Sequence, residues 1–160
     1  MLVTDRPAAH DGANDGERID ELNRSARQLL NSDVPAGLEA ARSALALAEA
    51  ASDRPRVAEA SHNLGVLNCL LFQYAEALSA LHRAYEIYMQ LGDTAGRAAA
   101  LNWIGNVEWR RSDYGAALKA QLTALHLHRE LSDPQGKADV LNSLGNIYFH
   151  VSEYDRALDA

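Results

Sequence analysis

Leu101-Asn102-Trp103-Ile104-Gly105-Asn106, followed by Asp113-Tyr114 and Ala117-Leu118, is the stretch that decides how this chain folds. Forty residues upstream stand Leu64-Gly65, Tyr74 and Ala77-Leu78; forty downstream stand Leu144-Gly145, Tyr154 and Ala157-Leu158. Asp53, Asp93 and Asp133 keep the same interval, as do Gly96 and Gly136. So many columns in register define an internal repeat. An earlier copy is weaker, with Ser25, Val34 and Gly37 in the Gly, Tyr and Ala columns and only Leu38 and Asp53 fitting well. Terminal repeats commonly depart from their neighbours because one side faces water. The expected organisation is a flexible tail over 1–18, then repeats over 19–52, 53–92 and 93–132, and an incomplete one over 133–160.

Each repeat reads as two helices. Tyr74, Ala77, Leu78, Leu81, Ala84, Tyr85, Tyr88 and Leu91 recur at steps of three and four, the period of one helical face. Asp93 is an N-cap for a helix over 94–111, and Asp133-Pro134 places a cap before a first-turn proline. Ser112-Asp113 makes a turn, and a second helix follows over 114–131. The pattern predicts seven main helices with breaks near residues 32, 72, 112 and 152. Gly65, Gly105 and Gly145 fall inside helices, where glycine costs roughly 1 kcal/mol against alanine. A helix accepts that cost where a neighbour approaches closely, and Ala77, Ala117 and Ala157 are the small residues expected opposite. The Tyr column is expected to wedge between the two helices of a hairpin. One hairpin cannot cover its own apolar faces, so neighbours must stack.

Composition narrows the function. The chain has 160 residues, 48% of them apolar and 23% charged, which suits one folded domain. Val, Ile and Thr never alternate with polar residues over a strand's length, so no sheet is expected and the fold class is all-α. The net charge of −7, with Arg110-Arg111 as the densest basic pair, opposes binding to nucleic acid or to an anionic membrane. Met1 to Arg18 carries four acids and no apolar core, unlike a signal peptide. Cys69 is the single cysteine, which points to the cytoplasm. His126 and His128 point to different faces, Glu59-x-x-His62 lacks a second such motif, and no P-loop or Gly-x-Ser-x-Gly occurs. No cofactor, metal or catalytic site is expected.

The order Leu-Gly, then Tyr nine residues after the Gly, then Ala-Leu, resembles the tetratricopeptide repeat, with a longer period than its common 34 residues. It is similar to the long-repeat subclass found in Pins-type spindle-orientation regulators, kinesin light chains and bacterial regulatory proteins. The resemblance, over 19–160, implies a right-handed α-solenoid of antiparallel hairpins whose first helices, the A helices, line a concave groove that binds a protein or peptide. Counting from each Gly, the groove positions are His62, Val66 and Cys69; Asn102, Asn106 and Trp109; and Asn142, Asn146 and Phe149. One turn earlier come Glu59, Ala99 and Asp139. In long-repeat relatives Asn at such places grips a peptide backbone, and a carboxamide can both donate to and accept from a peptide group. The same Asn residues can instead bond between neighbouring helices. Trp109 and Phe149 can serve as apolar anchors or as packing.

Two function classes remain open. One is an interaction module holding a peptide in the groove. The other is a regulatory and oligomerisation domain of a bacterial signalling enzyme such as a cyclase or kinase; high Ala and thirteen Arg against Lys119 and Lys137 suit a GC-rich bacterial genome. The last repeat stops soon after its second helix begins, as in a fragment of a larger protein. Its first helix carries Leu141, Leu144, Ile147, Tyr148 and Val151, and the face left open is expected to form a homo-oligomer through the C-terminal end.

Overall fold

A computed structural model describes residues 12–158, with side chains over 14–152. Among them lie seven α-helices: α1 (Gly12–Gln28), α2 (Val34–Ala50), α3 (Arg54–Leu70), α4 (Tyr74–Leu91), α5 (Thr94–Arg110), α6 (Tyr114–Glu130) and α7 (Pro134–Leu158), with a 3-10 turn, Leu29–Asn31, after α1. Each start has a local cause. Asp33, Asp53, Asp93, Asp113 and Asp133 accept hydrogen bonds from the backbone N–H three residues on, at 2.9–3.2 Å. These bonds satisfy donors that a helix start leaves open. Only α4, with Gln73 at the cap position, lacks such a bond among α2–α6. The stops are as regular. Ser52, Phe72, Gly92, Ser112 and Ser132 all have φ of +54° to +71°. This left-handed residue ends each of α2 to α6 and recurs every twenty residues.

Two boundaries differ from the sequence expectation. Helix α1 begins at Gly12, so residues 12–18, expected in the tail, are helical; residues 1–11 lie outside the described residues. The break expected near residue 152 does not occur, because α7 runs on to Leu158 as one helix of 25 residues. A turn at Ser152 would need a left-handed serine, offset by packing of the returning helix.

Helices packed in sequence order make the layers. Successive hairpins join chiefly where each B helix packs on the next A helix, α2 on α3, α4 on α5 and α6 on α7; their A helices also touch, α1 with α3, α3 with α5 and α5 with α7, while the B helices α2, α4 and α6 share no contact of that extent. The A helices therefore lie on the inner face of the array. Close approach within a hairpin rests on glycine. A Cβ on Gly65 would overlap the Leu81 side chain and lie 3.1 Å from the Ala77 carbonyl oxygen. A Cβ on Gly105 would sit 2.7 Å from Gln121 Nε2. Helix α3, flanked on both sides, is the most deeply buried: Ala58, Ala60, Leu67 and Cys69 are wholly enclosed. Even polar groups are enclosed between A helices, where Asn63 Nδ2 donates to Asn23 Oδ1 at 3.0 Å across one repeat interval.

Arginines tie neighbouring hairpins along the edges. Arg56 reaches from α3 to Asp20 of α1 at 2.7 and 2.9 Å and also bonds its own cap, Asp53. The Arg56 guanidinium holds the Asp20 carboxyl below the usual carboxylate range. Arg27 pairs with Glu59, and Arg83 with Glu49 at 2.6 Å. Among the described residues no helix is long and apolar enough to cross a membrane.

Candidate functional site

The expected groove residues divide by helix. On α3, Val66 and Cys69 are buried, 4% and 0% exposed, because α5 packs across that face. Cys69 belongs to the core with Ala77, Leu81, Ile104 and Val107, and burial pushes its thiol pKa up, away from reactivity. His62 is drawn into the same interface. Burial lowers its pKa to about 4, and its Nε2 is buried without a partner. Positions expected to meet a ligand in the second repeat are thus enclosed by the third.

On α5 the residues stand halfway. Asn106 Oδ1 accepts from Gln121 Nε2 at 3.1 Å, and the same nitrogen donates to the Asn102 carbonyl oxygen at 3.0 Å. Gln121 is fully buried on α6. Asn106 therefore has a bonding role inside its own hairpin, and Asn102 Oδ1 is buried without a partner. Trp109 is half-buried, with the Arg110 guanidinium 5.8 Å from its ring centroid. On α7, Asn142 and Asn146 are exposed, and Phe149 is 62% exposed.

Aromatic rings gather where α5 ends and α7 passes. His150 lies 5.6 Å from Trp109, 6.1 Å from Tyr114 in parallel stacking (4° between planes) and 5.7 Å from Phe149. Tyr74, Trp109, Arg110, Ser112, Tyr114 and His150 line a cleft of about 350 Å³. Phe72, 70% exposed with φ +61°, stands beside Tyr74 with ring centroids 6.3 Å apart. The sequence pattern singled out Trp109 and Phe149 here but not His150, which directly follows Phe149. The expected Tyr wedge holds for Tyr74, which packs half-buried against the core of α3, α4 and α5.

A second cleft, of about 410 Å³, opens between α5 and α7, with Asn102, Trp103, His128, Asp133, Gln135 and Asp139 around it. Of these, sequence reasoning placed Asn102 and Asp139 on the inner face and missed the others. The available signal was the Tyr88-to-His128 change in one column, which puts a smaller ring over the next helix.

Models of the tetratricopeptide repeat match residues 57–91 and 96–160. Over residues 57–160 the chain belongs to the tetratricopeptide repeat family. No curated protein matches the chain. Tetratricopeptide arrays are, in general, non-catalytic modules for protein–protein interaction, and the helix pairing described above is that of such an array. In this tetratricopeptide array the open part of the inner face lies toward α7, and the part toward α3 is closed.

Proposed function

We propose that this tetratricopeptide array binds an extended peptide segment of a partner protein across the inner face of α5 and α7. Asn142 and Asn146 hydrogen-bond the peptide backbone, Asn102 and Asn106 border it, and Trp109 and Phe149 anchor apolar side chains. The observation that carries the reading is the exposure of Phe149 beside two solvent-facing carboxamides and the aromatic cleft. Exposed aromatics at a concave face are the kind of residue that dominates binding energy. No catalytic role is proposed. A single buried thiol suits work in the cytoplasm.

Calorimetry with a peptide selected from a random library against the whole chain tests it. Because Asn106 also serves Gln121, the clean variant is Asn142→Ala with Asn146→Ala. Binding is expected to weaken by on the order of 1–3 kcal/mol while the melting temperature stays unchanged. Unchanged affinity in the double variant contradicts the reading.

A second reading, a regulatory domain of a bacterial signalling enzyme that self-associates, is favoured by one feature of α7. No atom would lie within 4 Å of a Cβ on Gly145, whereas its counterparts Gly65 and Gly105 are covered by Leu81 and Gln121. Leu141 and Tyr148 flank it at 54% and 53% exposure, and Leu122 of α6 adds 49%. Leu144 and Ile147, also expected on the open face, are instead buried. This apolar strip supports a homo-oligomer formed through the C-terminal end.

A further inference from the structure

The cleft between α5 and α7 has a counterpart one repeat earlier, bordered by Arg56, Glu59, Tyr88 and Asp93, and the residue columns show how the two differ. Moved back by one repeat, Asn102, His128 and Asp139 become His62, Tyr88 and Ala99. At that earlier joint His62 is buried, with its Nε2 left without a partner. Tyr88 lies over Gly96, where a Cβ would overlap its ring. At the later joint His128 takes the place of Tyr88 over Gly136, where a Cβ would overlap its ring in the same way. Asn102 is shorter than histidine, and its Oδ1 is left buried without a donor. Asp139 stands where alanine stood.

Two carboxylates and an orphaned carboxamide oxygen border the space. Asp133 is held below the usual carboxylate range, chiefly by the Gly136 N–H it caps, and it also bonds His128 Nδ1 at 2.9 Å. Asp139 Oδ1 accepts from Gln135 Nε2 at 3.0 Å, which leaves the second oxygen free to accept. No lysine or arginine lines the cleft, and the half-buried Trp103 indole supplies one wall. A buried acceptor wants a donor, two carboxylates want positive charge, and an indole face favours a cation.

We propose that this cleft receives a guanidinium group, the side chain of an arginine in the bound peptide. Asp139 and Asn102 Oδ1 accept its N–H groups, and Trp103 lies along its plane. Guanidinium fits better than ammonium because it is flat, weakly hydrated and offers donors in several directions. The net charge of −7 draws such a ligand to the molecule. The inference rests on the peptide-groove reading but has its own test.

The test is a nuclear magnetic resonance titration of the full chain with Nα-acetyl-arginine amide, and with Nα-acetyl-citrulline amide as the neutral isostere. The Trp103 indole N–H and Asn102 carboxamide signals should shift saturably with the arginine compound and stay in place with citrulline. Asp139→Asn, which keeps an acceptor for Gln135, should weaken the arginine effect about tenfold. Equal response to citrulline, or an arginine response indifferent to Asp139→Asn, overturns the proposal. A single amino acid does not need Asn142 and Asn146. Loss of this response with retained peptide binding therefore sinks the arginine site alone, and the converse sinks the backbone reading alone.

Discussion

A methyl group added at Gly65 collides with Leu81, and one added at Gly145 meets nothing, although both glycines occupy the same place in the repeat. Gly65→Ala should therefore cost roughly 1–3 kcal/mol through forced repacking. Gly145→Ala should gain up to about 1 kcal/mol from helix propensity. Urea unfolding of the two variants checks the contrast; equal effects would mean that α7 is covered as α3 is. His62 carries a second residue-scale prediction. Its folded pKa, about 4, lies below the ordinary 6.5, so the unfolded chain takes up the proton first. Its contribution is intact above about pH 6.5 and is lost as the pH falls toward 4, on the order of 2–3 kcal/mol. His62→Gln should flatten that limb of the stability–pH curve, measured by urea unfolding at stepped pH; a slope unchanged by the substitution would assign it to other groups.

Helices and turns were the most legible level of the sequence. The caps read at Asp93 and Asp133, the Ser112-Asp113 turn, the glycines and the 40-residue columns mark helix ends near 32, 72 and 112, and the structure breaks the chain there. These signals are local, so they survive without knowledge of the neighbours. At residue 152 the expected turn is absent, and α7 continues to Leu158. Val66 and Cys69 were misplaced for a different reason: their helix face was identified, but whether α5 covers that face depends on how tightly the hairpins stack. The α7 assignment has its own check. Ser112 sits at φ +64°, so Ser112→Gly should stabilise by about 1 kcal/mol. Ser152 lies inside α7, so Ser152→Gly should destabilise by about 0.5 kcal/mol. Thermal melts of the two variants that moved in the same direction would place a turn at residue 152 after all.

At the scale of the whole molecule, the inner face closes from the α3 side and opens toward α7. The open end carries two distinct surfaces, the carboxamides and aromatics of the groove and the Leu141–Gly145–Tyr148 strip. If the strip drives self-association, sedimentation at rising concentration should show a dimer that Leu141→Asp with Tyr148→Asp returns to monomer. A wild-type monomer at high micromolar concentration would remove that reading and leave the groove untouched. The central claim concerns the groove. The most direct measurement is the position of a selected peptide on the chain, followed by nuclear magnetic resonance through the side-chain carboxamide and indole signals. The account predicts that Asn142, Asn146, Trp109 and the Phe149 backbone amide respond together, with α2, α4 and α6 silent on their outer faces. A response confined to the B helices, or to Leu141 and Tyr148, would contradict it.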